Sequence, residues 1–137
     1  MDMQNAMASV NYLAVVVAAA SAFLVGGLWY SALFTKAWMR ANKFTEADVR
    51  GGNPAVTFGG AFVLALVIAY SLVLFLGPDR DLAFGATAGF MAGAFWVATA
   101  YGITYLFERK PLSLFFINSG YHVVTFTVMG AILGAWK

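Results

Sequence analysis

The only histidine of the chain, His122, stands in a long apolar run, with Asn118 four residues before it and Thr125 three residues after it. At that spacing the three side chains share one face of a helix, flanked by Ser119 and Tyr121. An imidazole titrates near neutrality, and an asparagine offers both donors and an acceptor. Such a stripe can relay protons, hold an ion or small polar solute, or bond to a lipid headgroup or quinone. It can equally do no more than lock its helix to a neighbour through hydrogen bonds, and both accounts stand at this stage.

Depth selects the partners. His122 lies about eleven residues in from Pro111, roughly 16 Å along a helix and near the middle of a hydrocarbon core about 30 Å thick. If the preceding span runs the other way, Trp96 and Thr99 reach the level of His122 and Asn118. Tyr101, Thr104 and Tyr105 then lead towards Glu108, and Tyr30 and Ser31 arrive at a similar level from the first span. This predicts a cleft lined by Tyr30, Tyr101, Tyr105, Asn118 and His122. An interfacial aromatic belt is the competing account, favoured for Trp29, Tyr30 and Tyr105.

The elements that must carry these residues follow from composition. Of the 137 residues, 62% are hydrophobic and only 10% charged, with a mean hydropathy of +0.80. Ordinary soluble domains are about 45–50% apolar and about 25% charged, so this chain lacks the means to cover a water-facing surface. Four runs are long enough to cross a bilayer as helices, at approximately 10–34, 55–76, 82–107 and 112–136. Nothing alternates with the period of a β-barrel. The expected fold is an all-α membrane protein, one domain over 1–137, with four transmembrane helices in an antiparallel up-down bundle. Gly77-Pro78-Asp79-Arg80-Asp81 makes one tight turn, and Glu108-Arg109-Lys110-Pro111 makes the other, with Pro111 at the first helical position.

Lys36, Arg40, Lys43 and Arg50 fall in one loop and Arg109 and Lys110 in another, against Arg80 and Lys137 on the opposite side. The positive-inside rule therefore places both termini outside the cytoplasm, in the plasma (inner) membrane. The leader 1–9 carries Asp2 and no basic residue, so the first span reads as uncleaved. The loop 35–54 reads as amphipathic and cytoplasmic, with Trp38 as an anchor and Thr45, Asp48 and Gly51-Gly52 bounding a short helix. Its cations either contact anionic lipid or a partner, or merely set topology.

Small residues recur every four positions: Ala14, Ala18, Ala22 and Gly26; Gly85, Gly89 and Gly93; Gly130 and Gly134. In lipid, close backbone approach through such ladders supplies packing energy. They join helices within one chain, or they join copies in a homo-oligomer. Leu33-Phe34-Thr35-Lys36 and Leu106-Phe107-Glu108-Arg109 also suggest two parallel helical-hairpin repeats.

Much chemistry is excluded. Without cysteine there are no disulfides, thiolate zinc sites or iron–sulfur clusters, and one histidine makes no usual zinc or haem site alone. No metal or cofactor is expected. A net charge of +2 points to no nucleic acid. No span holds paired carboxylates, and hydrolase and nucleotide-binding motifs are absent.

Asn11-Tyr12-Leu13-Ala14-Val15, Leu28-Trp29-Tyr30 with Leu33-Phe34, Lys36-Ala37-Trp38-Met39, and Asn118-x-Gly120-Tyr121-His122-x-Val124 together resemble a bacterial and fungal integral-membrane family catalogued as a domain of unknown function. The resemblance spans nearly the whole chain and implies four spans, with no activity attached. The expectation is a small homo-oligomeric channel or transporter for a small solute or ion, with His122 and Asn118 near its path. The alternative is an accessory protein binding a lipid, quinone or larger membrane partner. A membrane-embedded enzyme ranks third.

Overall fold

The computed structural model describes residues 2–137, and all regular structure among them is helical. Asp2 caps a short helix α1 (Met3–Ala8) by accepting from the Gln4 N–H. The Asn11 side chain accepts from Ala14 N and opens α2 (Tyr12–Gly27), which continues without interruption as π-helix over Leu28–Leu33. The wider turn is visible in the Phe34 N–H, which donates to the Trp29 carbonyl five residues back at 2.8 Å.

Two short helices follow. α3 (Thr35–Asn42) ends on Lys43 in the left-handed conformation, φ 58°. α4 (Glu46–Arg50) opens with a reciprocal capping box: Thr45 Oγ1 accepts from Asp48 N, and the Asp48 carboxylate accepts from Thr45 N at 2.8 Å. The Thr45 backbone N–H foremost, with its hydroxyl second, holds the Asp48 carboxyl below its usual range.

Asn53 caps α5 (Pro54–Leu76), and Pro54 supplies a first position that needs no N–H donor. Asp81 caps α6 (Leu82–Ala92), which passes through a second π segment (Gly93–Val97) into α7 (Ala98–Glu108). α7 ends on Arg109, also left-handed at φ 55°. The last helix is α8 (Leu112–Ala135). Pro111, expected at the first helical position, is instead the cap, with an extended ψ of 149°. Four stretches, Tyr12–Leu33, Pro54–Leu76, Leu82–Glu108 and Leu112–Ala135, are long and apolar enough to cross a membrane.

The core is built from small residues. Ala14, Ala18, Ala19 and Ala22 of α2 pack with Ala65, Ala69 and Val73 of α5 and with Met129 and Leu133 of α8. The closest approach is between α6 and α8. A Cβ added to Gly85 would collide with the Gly130 carbonyl, one on Gly89 with the Phe126 carbonyl, and one on Gly134 with the Asp81 carbonyl. Gly93 meets Val123 Cα. Residue numbers rise along α6 as they fall along α8. Of the two accounts open for this ladder, packing within one chain is the one these contacts support: with no Cβ on either helix, the backbones of α6 and α8 come into contact.

A residue spaced every four positions overshoots a full α-helical turn by about 40°, so a stripe of five such steps leaves its face. Both long stripes here cross a π segment, whose extra residue returns about 100°. Ala14, Ala18, Ala22 and Gly26 thus continue into Tyr30 on the side facing α8, and Gly85, Gly89 and Gly93 continue into Tyr101 and Tyr105. The two π segments do not support a structural repeat: the first contains Leu33, whereas the second ends at Val97, well before Leu106-Phe107.

Arg80 is not the exposed turn charge its position suggests. It is 1% exposed. Its Nε donates to the Leu133 carbonyl at 2.8 Å, Nη1 to the Gly77 carbonyl at 2.8 Å and to Ser9 Oγ at 3.3 Å, and Nη2 to the Ser9 carbonyl at 3.1 Å. Burial pushes its pKa down, yet a guanidinium stays charged at any accessible pH. The late carbonyls of α5 and α8 carry partial negative charge, which suits a cation at this place.

Candidate functional site

The structure gathers one polar group inside the bundle. Span one supplies Tyr30, whose hydroxyl donates to Asn118 Oδ1 of α8 at 2.6 Å. Asn118 Nδ2 in turn donates to the Tyr105 hydroxyl of α7 at 2.8 Å. One turn deeper, Tyr101 Oη and His122 Nε2 are hydrogen-bonded at 3.1 Å, with their rings stacked at 5.1 Å between centroids. Tyr121 packs on His122 at 4.9 Å and on Tyr30 at 5.3 Å, while its hydroxyl donates to the Ala22 carbonyl at 2.9 Å. The four tyrosine hydroxyls, the Asn118 amide and His122 Nε2 all have partners, and all six residues are half-buried.

Local packing explains why these side chains point inward. The Trp29 indole lies over Gly120, where a Cβ would come within 2.9 Å of its ring, and Nε1 donates to the Ile117 carbonyl at 2.8 Å. Gly26 leaves room for the Tyr121 ring at 3.5 Å. Trp29, Tyr30 and Tyr105, for which an interfacial belt is the account the sequence favours, bond through their polar ends to Ile117 and Asn118 of α8. The first π segment aims Trp29 and Tyr30 at α8, and the second brings Tyr101 and Tyr105 to the same helix.

Two residues expected beside His122 are elsewhere. Trp96 is 67% exposed and borders a groove with Leu72 and Phe75 on the outer side of α5 and α6. The Thr99 hydroxyl turns back to the Phe95 and Trp96 carbonyls of its own helix. Both follow the second π segment's rotation, which sends Tyr101 inward and these two outward.

Thr125 is buried one turn beyond Tyr121, and its hydroxyl has no hydrogen-bond partner; Ser119 is in the same condition. Thr125, Tyr121 and His122 border a cavity of about 250 Å³ between α2, α5 and α8, whose other walls include Ala22, Phe23, Ala65, Ile68 and Met129. Beyond Thr125, Met129 and Leu133 are fully buried and the Gly85–Gly130 contact closes the bundle. Among the described residues no group of three or more His, Cys, Asp or Glu side chains is placed to hold a metal.

Fold and site together define a four-helix membrane protein with a half-buried tyrosine–histidine–asparagine cluster between its first, third and fourth spans. The chain belongs to the family of proteins of unknown function DUF1761, whose sequence signature matches residues 13–134. Comparison with curated proteins and with solved structures found no match.

Proposed function

We propose that the protein carries a small solute or ion across the inner membrane, with His122 and Asn118 as its polar station, working as a homo-oligomer with both termini outside the cytoplasm. One observation carries this reading. Polar side chains step inward from the basic edge, through Tyr30, Asn118 and Tyr105, then Tyr101, Tyr121 and His122, then Thr125 and the adjoining cavity. They end at mid-depth against the glycine-packed half. Access from one side to a central polar site is the geometry a carrier needs in one of its two states. In this reading copies meet through surfaces other than the Gly85–Gly93 ladder, and Trp96 and Thr99 take no part in the path.

A second reading has its own support. The cavity beside His122 is walled mostly by alkyl and aromatic groups, which suits a lipophilic ligand held by one or two hydrogen bonds, as in an accessory protein binding a lipid or quinone. Reconstitution separates the two. Under transport, liposomes holding the protein pass protons, alkali cations or small polar solutes above protein-free controls. His122→Leu abolishes that flux while leaving helicity and thermal unfolding near wild type. Absence of flux for all of these, with a lipophilic molecule retained by wild type and lost in His122→Leu, would replace transport with binding.

A further inference from the structure

At the edge that carries α3 and the α7–α8 turn, a cavity of about 480 Å³ is bordered by Arg40, Lys43 and Arg109, with Ser113 and Pro111 at the start of α8. No carboxylate borders it, and among the described residues the one ion pair joins Arg50 to Glu46, outside this cavity. Three like charges on one concave surface repel each other unless an anion sits between them. The backbone adds a second observation. Lys43 and Arg109 end α3 and α7 in the left-handed conformation, at φ 58° and 55°, where glycine is the unstrained choice. Both helix ends thus carry a long cation at a backbone cost, and both cations border the same cavity.

We propose that this cavity binds the anionic phosphodiester headgroup of a membrane lipid. Arg40 and Arg109 supply planar donor forks that match phosphate oxygens, Lys43 supplies a mobile ammonium, and the Ser113 hydroxyl supplies a neutral donor. The site's level suits a lipid source. It lies where α8 begins, beside the short helix that holds Trp38, a residue type favoured at the membrane–water boundary. Lys110, on the same turn, rims a separate groove lined by Gly102, Leu106, Leu112 and Phe115, surfaces that accept an acyl chain. Positive charge near an anionic leaflet also arises from topology alone, so the discriminating prediction is that position within the cavity matters, not charge number.

The test uses the full chain reconstituted with equal amounts of phosphatidylglycerol and phosphatidylcholine, with native mass spectrometry reading the lipid retained on extraction. Wild type retains phosphatidylglycerol in preference to phosphatidylcholine. Arg40→Gln, Lys43→Gly and Arg109→Gly each lower that preference by roughly fivefold, the effect of one cation beside an anionic headgroup. The two glycine variants relax the left-handed backbone, so loss of lipid in them is not loss of fold. Arg50→Gln removes the same charge from the same edge and leaves the preference unchanged. Equal retention of both lipids by wild type, or an Arg50→Gln effect as large as that of Arg40→Gln, would overturn the proposal. Displacement of the lipid by millimolar glycerol 3-phosphate would overturn the lipid source and assign the cavity to a soluble phosphate ester.

Discussion

The Trp29 indole lies where a Gly120 side chain would stand, and its Nε1 donates at 2.8 Å to the Ile117 carbonyl, 88 residues along the chain from Trp29. The contact joins span one to span four at the level where Tyr30 meets Asn118, so it sets the position of the whole polar cluster. A methyl group on Gly120 would have to displace an indole already held by a hydrogen bond. Gly120→Ala is expected to cost about 1–3 kcal/mol, the usual range for overpacking a tight contact. Trp29→Phe removes the donor and shortens the ring, so the two substitutions should be non-additive in a double-mutant cycle read by thermal unfolding. Additive effects would mean that the contact is not formed in the folded protein.

The glycines sort into two kinds. Gly89 faces the Phe126 carbonyl, a backbone atom unable to rotate away, whereas Gly60 meets nothing within 4 Å. Gly89→Ala is therefore expected to destabilise strongly, while Gly60→Ala gains up to about 1 kcal/mol from helix propensity. Opposite signs for one chemical change, measured by thermal unfolding in a single detergent, are the expected outcome. A shift of Gly89→Ala towards a smaller species with unchanged stability would instead return the ladder to a subunit interface.

Arg80 ties Ser9, Gly77 and Leu133 into one knot. Arg80→Leu leaves those acceptors buried without a donor, a loss of about 1–3 kcal/mol for such a group. Arg80→Lys should recover only part of it, because one ammonium lacks the spread of the guanidinium fork. Hydrogen exchange in α1 and at the end of α8 would rise together in Arg80→Leu. Full recovery by lysine would show that charge alone matters here.

The α4 capping box predicts a pH response. The Asp48 carboxyl is held below its ordinary value of 3.8 by Thr45. A depressed folded-state pKa contributes stability above the unfolded value and loses it as pH falls through the folded one. Amide protection in α4 should therefore decline below about pH 4, and Asp48→Asn should weaken the helix at neutral pH and remove that dependence. Pulsed hydrogen exchange at two pH values reads this directly. Protection that stays constant down to the foot of the carboxylate range would show that the box does not hold α4.

Long apolar runs separated by charged turns are local features, and a run of about 20 apolar residues without β-barrel alternation satisfies its backbone in lipid by forming a helix. For that reason Tyr12–Leu33, Pro54–Leu76, Leu82–Glu108 and Leu112–Ala135 were legible from residue order alone. The same holds for the Thr45–Asp48 cap, whose partners lie three residues apart. The grouping of His122 and Asn118 with Tyr30, Tyr101 and Tyr105 was also within reach, since depth along straight helices is simple arithmetic.

Rotation about each helix axis was not, and tertiary structure decided it. Depth arithmetic treats Trp96, Thr99 and Tyr101 alike, but a single extra residue in the Gly93–Val97 turn swings the axis by about 100°, sending Tyr101 to His122 and the other two outward. A stripe kept at four-residue spacing for longer than a straight helix can face one neighbour was the available signal. Arg80 carried none: three of its four acceptors are the carbonyls of Ser9, Gly77 and Leu133, a group every residue possesses, and the fourth is the hydroxyl of Ser9, 71 residues away. Likewise Gly85 and Gly89 announce close packing in any sequence, but only the position of α8 determines that the surface they meet belongs to the same chain. Helix formation is governed by each segment's own backbone and by the lipid around it, whereas facing and partner choice depend on contacts between segments far apart in the chain.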